Sequence, residues 1–188
     1  MYLCLFPAIL TLIFAEKDSS IVNDEILNKI RIGFYVAVED EDTTAYYMKF
    51  IKDNFSSDYN KYSPVVLAYY AALEGLKGRH ASNPISKFVY VSRAVDKMNH
   101  AVDNDPELLE GRFLRFSFFH QIPGIFGMAG KVPEDLQKVI TMLEKRDYSF
   151  VNENIQKDMV EYILGTDQLD AAQRTRLEQL NTELKDEP

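Results

Sequence analysis

Apolar residues recur along this chain at intervals of three and four, and no long stretch alternates with period two. That spacing lays a stripe along a helix and argues against half-buried strands. The first such stretch, Asp24 to about Ala37, carries Ile26, Leu27, Ile30 and Phe34, with Val38 just beyond. Asp42 to Asn54 follows, with Ala45, Tyr46, Met48, Phe50 and Ile51. Ser63-Pro64 is a cap followed by a first-turn proline, and it predicts a helix to about Lys77, stopped at Gly78. This helix is apolar on most sides, which places it at the centre of the fold. Asn83-Pro84 repeats the signal and opens a helix to Val102, with Ile85, Phe88, Val89, Val95, Met98 and Val102 expected inward. Asp105-Pro106 is a third such signal, for a helix to about His120, and Pro133 opens another to about Lys145. Between these, residues 121–132 hold three glycines and five large apolar residues, which predicts a packed loop. Asn152 to Leu164 and Asp167 to about Leu184 complete eight helices.

The hairpin of the third and fourth helices carries a repeat signal. Ala94, Met98, Ala101 and Pro106 have the spacing of the second helix of a tetratricopeptide repeat. Small residues there let two helices approach closely, and a large one fills the gap. Leu67, Tyr70 and Ala71 are a loose counterpart in the helix before. The expected fold is all-α: antiparallel helical hairpins stacked as a short tetratricopeptide-like α-solenoid.

A longer set of residues carries a family resemblance. Ala71, Leu73, Glu74, Leu76, Lys77, His80, Asn83-Pro84, Lys87 and Tyr90 belong to it. So do Asp105-Pro106-Glu107, Glu110, the run Arg112 to Phe116, Ile122-Pro123 and Glu134-Asp135. Over about residues 30–145 the chain resembles an uncharacterised exported tetratricopeptide-like family of Bacteroidetes-type bacteria. The resemblance implies a fold, a secretory signal and a bacterial source, and no activity. At Gly127-Met128-Ala129-Gly130 the chain departs from the family's more aromatic segment.

The first fifteen residues, Met1 to Ala15, are apolar apart from Thr11. A membrane-spanning helix needs about 20 such residues. The length and the small residue at Ala15 fit a signal peptide, although no Lys or Arg precedes the run. Residues 1–15 are therefore expected to be removed on export to the periplasm or envelope, leaving residues 16–188 as one domain. An uncleaved N-terminal membrane anchor and a misplaced start remain the alternatives. Cys4 is the only cysteine, so cleavage would leave no thiol.

The 188 residues carry 29 acidic and 21 basic side chains, a net charge of −8. A duplex-binding surface needs gathered Lys and Arg. On net charge, nucleic acid and anionic membrane surfaces are poor partners. The histidines, at 80, 100 and 120, lack zinc-site spacing, and His100 is expected on a solvated face with Asp96, Lys97 and Asp103. No motif calls for a metal or a cofactor, or marks a catalytic residue.

Two groups have candidate chemistry. His80, Asn83, Lys87 and Tyr90 fall at a helix start, and Arg112 and Arg115 share one face of an otherwise apolar helix. Together they define a pocket for a carboxylate or phosphate. The competing reading is structural: His80 and Asn83 brace a loop, and the arginines pair with internal acids, with Glu74, Asp105, Glu110 and Asp135 as candidates. The leading functional expectation is a non-catalytic scaffold that binds a protein or peptide partner, as stacked hairpins do on their concave face. The alternative is a small anionic ligand receptor or an enzyme built on the His80/Arg112/Arg115 region.

Overall fold

A computed structural model describes residues 24–186 of the chain. The expected signal segment, residues 1–15, lies outside the described residues. Eight α-helices are present, with no strand among the described residues: α1 (Asp24–Ala37), α2 (Glu41–Asn54), α3 (Pro64–His80), α4 (Pro84–Asn104), α5 (Leu109–Phe119), α6 (Lys131–Leu143), α7 (Glu153–Leu164) and α8 (Ala171–Asp186). Sequence neighbours pair as hairpins: α1 with α2, α3 with α4, α5 with α6, and α7 with α8. The odd-numbered helices also stack, α1 on α3 and α3 on α5. The all-α, solenoid-like stacking expected from the spacing is therefore present.

The boundaries have local causes. Asp40 caps α2 by accepting from the Thr43 N–H at 2.6 Å, and Glu41 and Asp42 form the acidic first turn that follows. Asn83 caps α4 by accepting from the N–H of Ile85 at 2.8 Å. Asp170 and Gln173 cap α8 reciprocally, at 2.8 and 3.0 Å. This box moves the start of α8 to Ala171, beyond the expected Asp167. Asp105-Pro106 forms a turn, with the Leu108 N–H donating to the Asp105 carbonyl at 3.2 Å, and α5 starts only at Leu109. The start of α6 is Lys131, which leaves Pro133 third in the helix. An N–H there has no intrahelical acceptor, so the proline costs no bond.

Gly78 does not stop α3, which continues to His80. A Cβ at Gly78 would lie 3.0 Å from the Val91 Cγ2 and 3.4 Å from the Lys87 carbonyl oxygen. The glycine marks close approach of α3 and α4. On the α4 side of this hairpin, Ala94, Met98 and Ala101 are fully buried, as the repeat spacing expects.

The core is one cluster centred on α3, whose residues Val66 to Gly75 are all buried. α4 departs from expectation. Ile85, Phe88 and Val89 point outward, 75%, 52% and 37% exposed. Ala94, Met98 and Ala101 define the buried face, and at 100° per residue Ile85, Phe88 and Val89 fall on other sides of the helix. The loop over residues 121–130 is packed only in part: Ile122 and Met128 lie half-buried against the core, whereas Ile125 is 79% exposed. The loop contains a 3-10 turn, Gly124–Phe126, closed by Gly127 in the left-handed region at φ 70°.

Candidate functional site

The helix α5 places Arg112 and Arg115 three residues apart, so both reach toward α6. Arg115 is 1% exposed, and Asp135 on α6 is fully buried. The Arg115 guanidinium grips Asp135 as a fork, with Nε to Oδ2 at 2.7 Å and Nη2 to Oδ1 at 2.8 Å. Its Nη1 donates to Asn99 Oδ1 of α4 at 3.2 Å. Arg112 donates to Asp135 at 2.8 Å, to Glu134 at 3.0 Å and to the Pro106 carbonyl at 3.0 Å. Burial alone would lower the Arg112 pKa, but the bonds to Asp135 and Glu134 outweigh it and the pKa stands raised. The hydrogen bond from Arg112 in turn holds the Glu134 carboxyl below its usual value. An anion entering here would have to displace a carboxylate already held by both guanidinium groups.

A second buried network spans the stacked odd helices. Glu110 of α5 accepts from Arg31 of α1 at 2.7 and 2.6 Å. It also accepts from the Tyr69 hydroxyl of α3 at 2.7 Å. Arg31 reaches the Phe150 carbonyl at 3.1 Å, just ahead of α7. Burial, reinforced by the Glu110 charge, pushes the Tyr69 pKa well above its ordinary value, so the hydroxyl stays protonated and donates. Buried between the stacked helices, these side chains bridge α1, α3 and α5. A third pair, Lys97 Nζ to Glu74 Oε2 at 2.6 Å, ties α4 to α3. Lys97 is thus buried, not on the solvated face expected for it, and its ammonium sits 4.6 Å from the centre of the Tyr59 ring.

His80, Asn83, Lys87 and Tyr90 have separate environments. His80 Nε2 lies 3.3 Å from the Ala37 carbonyl at the end of α1. Asn83 is spent on its cap, and Lys87 is exposed. Tyr90 packs under Lys77, whose Nζ is 5.2 Å from the ring centre. No hydrogen bond or ion pair among the described residues joins this group to Arg112 or Arg115. The structure does not assemble the six residues into one pocket.

It forms instead a cleft of about 270 Å³ between the end of α5, the 121–130 loop and α6. Phe119, Ile122, Met128, Val132 and Leu136 make its apolar wall, and His120 and Gln168 stand at its polar edge. The Tyr162 hydroxyl of α7 accepts from Gln121 at 2.8 Å and lies 3.0 Å from His120 Nε2. Burial lowers the His120 pKa, which favours a neutral ring accepting the Tyr162 proton. The sequence marked the loop as packed but gave no sign of the cleft, because its walls come from elements whose mutual placement no local pattern encodes.

Comparison with known protein families, curated proteins and solved structures returned no match for this chain.

Proposed function

We propose that this chain is a non-catalytic scaffold of the bacterial cell envelope that takes a protein or peptide partner at the cleft beside the 121–130 loop. The observation that carries the reading is the size and lining of that cleft. At about 270 Å³ it lies at the small end of ligand sites, with room for one bulky apolar side chain. Its apolar wall suits one anchoring side chain of a partner, with the polar edge ordering the rim. The buried arginines support the same reading, since their donors are committed to Asp135, Glu134 and Asn99. The envelope location rests on the family resemblance and on the apolar segment at residues 1–15. No helix among the described residues is long and apolar enough to cross a membrane.

A photo-reactive residue tests this. Placed at Ala129 on the cleft, it is expected to crosslink one discrete protein species in the native cells. The same residue at Lys49, exposed on α2, is expected to crosslink none. Equal crosslinking from both positions would contradict the reading. So would a small anion retained stoichiometrically by the purified chain.

A further inference from the structure

The cleft wall holds a side chain whose polarity can change after folding. Among the described residues, Met48, Met98 and Met159 are buried, at 9%, 0% and 2% exposure. Met128 is half-buried in the 121–130 loop and lines the cleft. Met142 is half-buried on α6 and is not part of that lining. Oxidation of a thioether follows its exposure. A water takes about 30 Å³ of the liquid and a peroxide is little larger, so a cleft of about 270 Å³ admits one beside Met128.

The Met128 sulfur is also held from one side. Asn99 Nδ2 of α4 donates to it at 3.6 Å. The orientation of that amide is set by the buried arginine. A guanidinium only donates, so the Asn99 oxygen faces Arg115, with Nη1 to Oδ1 at 3.2 Å, and the amide nitrogen is left to face the sulfur. Arg115 is itself locked by its fork to Asp135. Asn99 does not line the cleft. Its amide therefore reaches the sulfur from behind the wall and covers that side, leaving attack to the cleft side.

We propose that Met128 is an oxidant-responsive modification site, at which a peroxide entering the cleft converts the thioether to a sulfoxide. The free sulfur lone pair attacks a peroxide oxygen, the O–O bond breaks and an S–O bond forms. Sulfur gives up two electrons, and hydrogen peroxide leaves as water, or an alkyl hydroperoxide as its alcohol. Because Asn99 covers one side of the sulfur, one of the two sulfoxide epimers predominates. The new oxygen faces the cleft and puts a strong acceptor into a wall otherwise made by Phe119, Ile122, Val132 and Leu136. An apolar anchor seated there would bury that acceptor without a donor, so the oxidised chain releases its partner. The release rests on the partner reading of the cleft, and the site of oxidation does not. A methionine sulfoxide reductase restores the thioether, which makes the change reversible.

The test is graded hydrogen peroxide treatment of the full chain, followed by peptide mapping. Sulfoxide at Met128 is expected to form at least about tenfold faster than at Met48, Met98 and Met159, with an unchanged circular dichroism spectrum. One of the two epimer-specific methionine sulfoxide reductases is expected to reverse nearly all of it. Oxidation of Met128 no faster than that of the three buried methionines would overturn the inference, as would equal shares of the two epimers. The photo-reactive residue at Ala129 reads the consequence. A peroxide pulse is expected to cut its crosslink at least about tenfold in the parent and in Met142→Leu, and to leave it intact in Met128→Leu. A crosslink that survives full oxidation of Met128 would overturn the release. If no crosslink forms before the pulse, the partner reading fails, and the mapping alone decides the oxidation site.

Discussion

Asp135→Ala is expected to lower stability by about 3–5 kcal/mol, the range for removing one member of a buried ion pair. Asp135 is fully buried and accepts from two guanidinium groups, three hydrogen bonds in all. Its removal leaves Arg115, at 1% exposure, with Asn99 as its hydrogen-bond partner and Glu134 no nearer than 3.8 Å. A guanidinium cannot escape the problem by losing its proton at any accessible pH. For a chain of this length the melting temperature should drop by roughly 10 °C. Asp135→Asn keeps the shape and one acceptor and should lose less. The deficit should barely change with salt, because the pair is screened from solvent, whereas surface pairs such as Lys49–Asp53 are salt-sensitive and worth little. Thermal unfolding of both variants at low and high salt measures this.

Glu110→Ala should be nearly as damaging, at about 3 kcal/mol. One carboxylate satisfies Arg31 through two bonds and Tyr69 through a third, joining α1, α3 and α5. Without it a buried cation loses its counter-charge and a buried hydroxyl loses its acceptor, the latter alone costing about 1–3 kcal/mol. Arg31 keeps Asn28 and the Phe150 carbonyl as neutral acceptors, so part of the loss is recovered. Tyr69→Phe removes only the donor and should cost about 1 kcal/mol. Denaturant unfolding of the two variants separates these contributions. Near-equal losses would mean that Arg31 finds another partner and that Glu110 is not the joint between the three helices.

Much of the helical layout was legible because its causes are local. The cap at Asn83 and the small-large-small series Ala94, Met98 and Ala101 act within one or two turns, and both appear where their spacing puts them. Asp105-Pro106 misled because a capped proline turn has the same local chemistry whether or not a helix follows at once. Arg112 and Arg115 required acidic partners on so apolar a helix, and Asp135 was among the four acids in reach. The other two buried pairs were not legible. Arg31 and Glu110 are 79 positions apart, and Lys97 and Glu74 are 23 apart. Arg31 and Lys97 sit in helices rich in charge, where a buried cation has the same one-dimensional pattern as a solvated one. Ile85, Phe88 and Val89 failed in the opposite direction. Periodicity says that residues share a face, but only the neighbouring helices say which face is covered.

The decisive measurement for the interior is the thermal unfolding of Arg115→Ala beside the wild type, each with and without inorganic phosphate. If the arginines brace α5 against α6, the variant melts well below the wild type, by about 3 kcal/mol in stability, because Asp135 loses its bidentate partner. Phosphate then shifts neither protein. A variant that melts with the wild type, together with a wild-type melting point that rises with phosphate, would contradict the brace. It would return Arg112 and Arg115 to the role of an anion site.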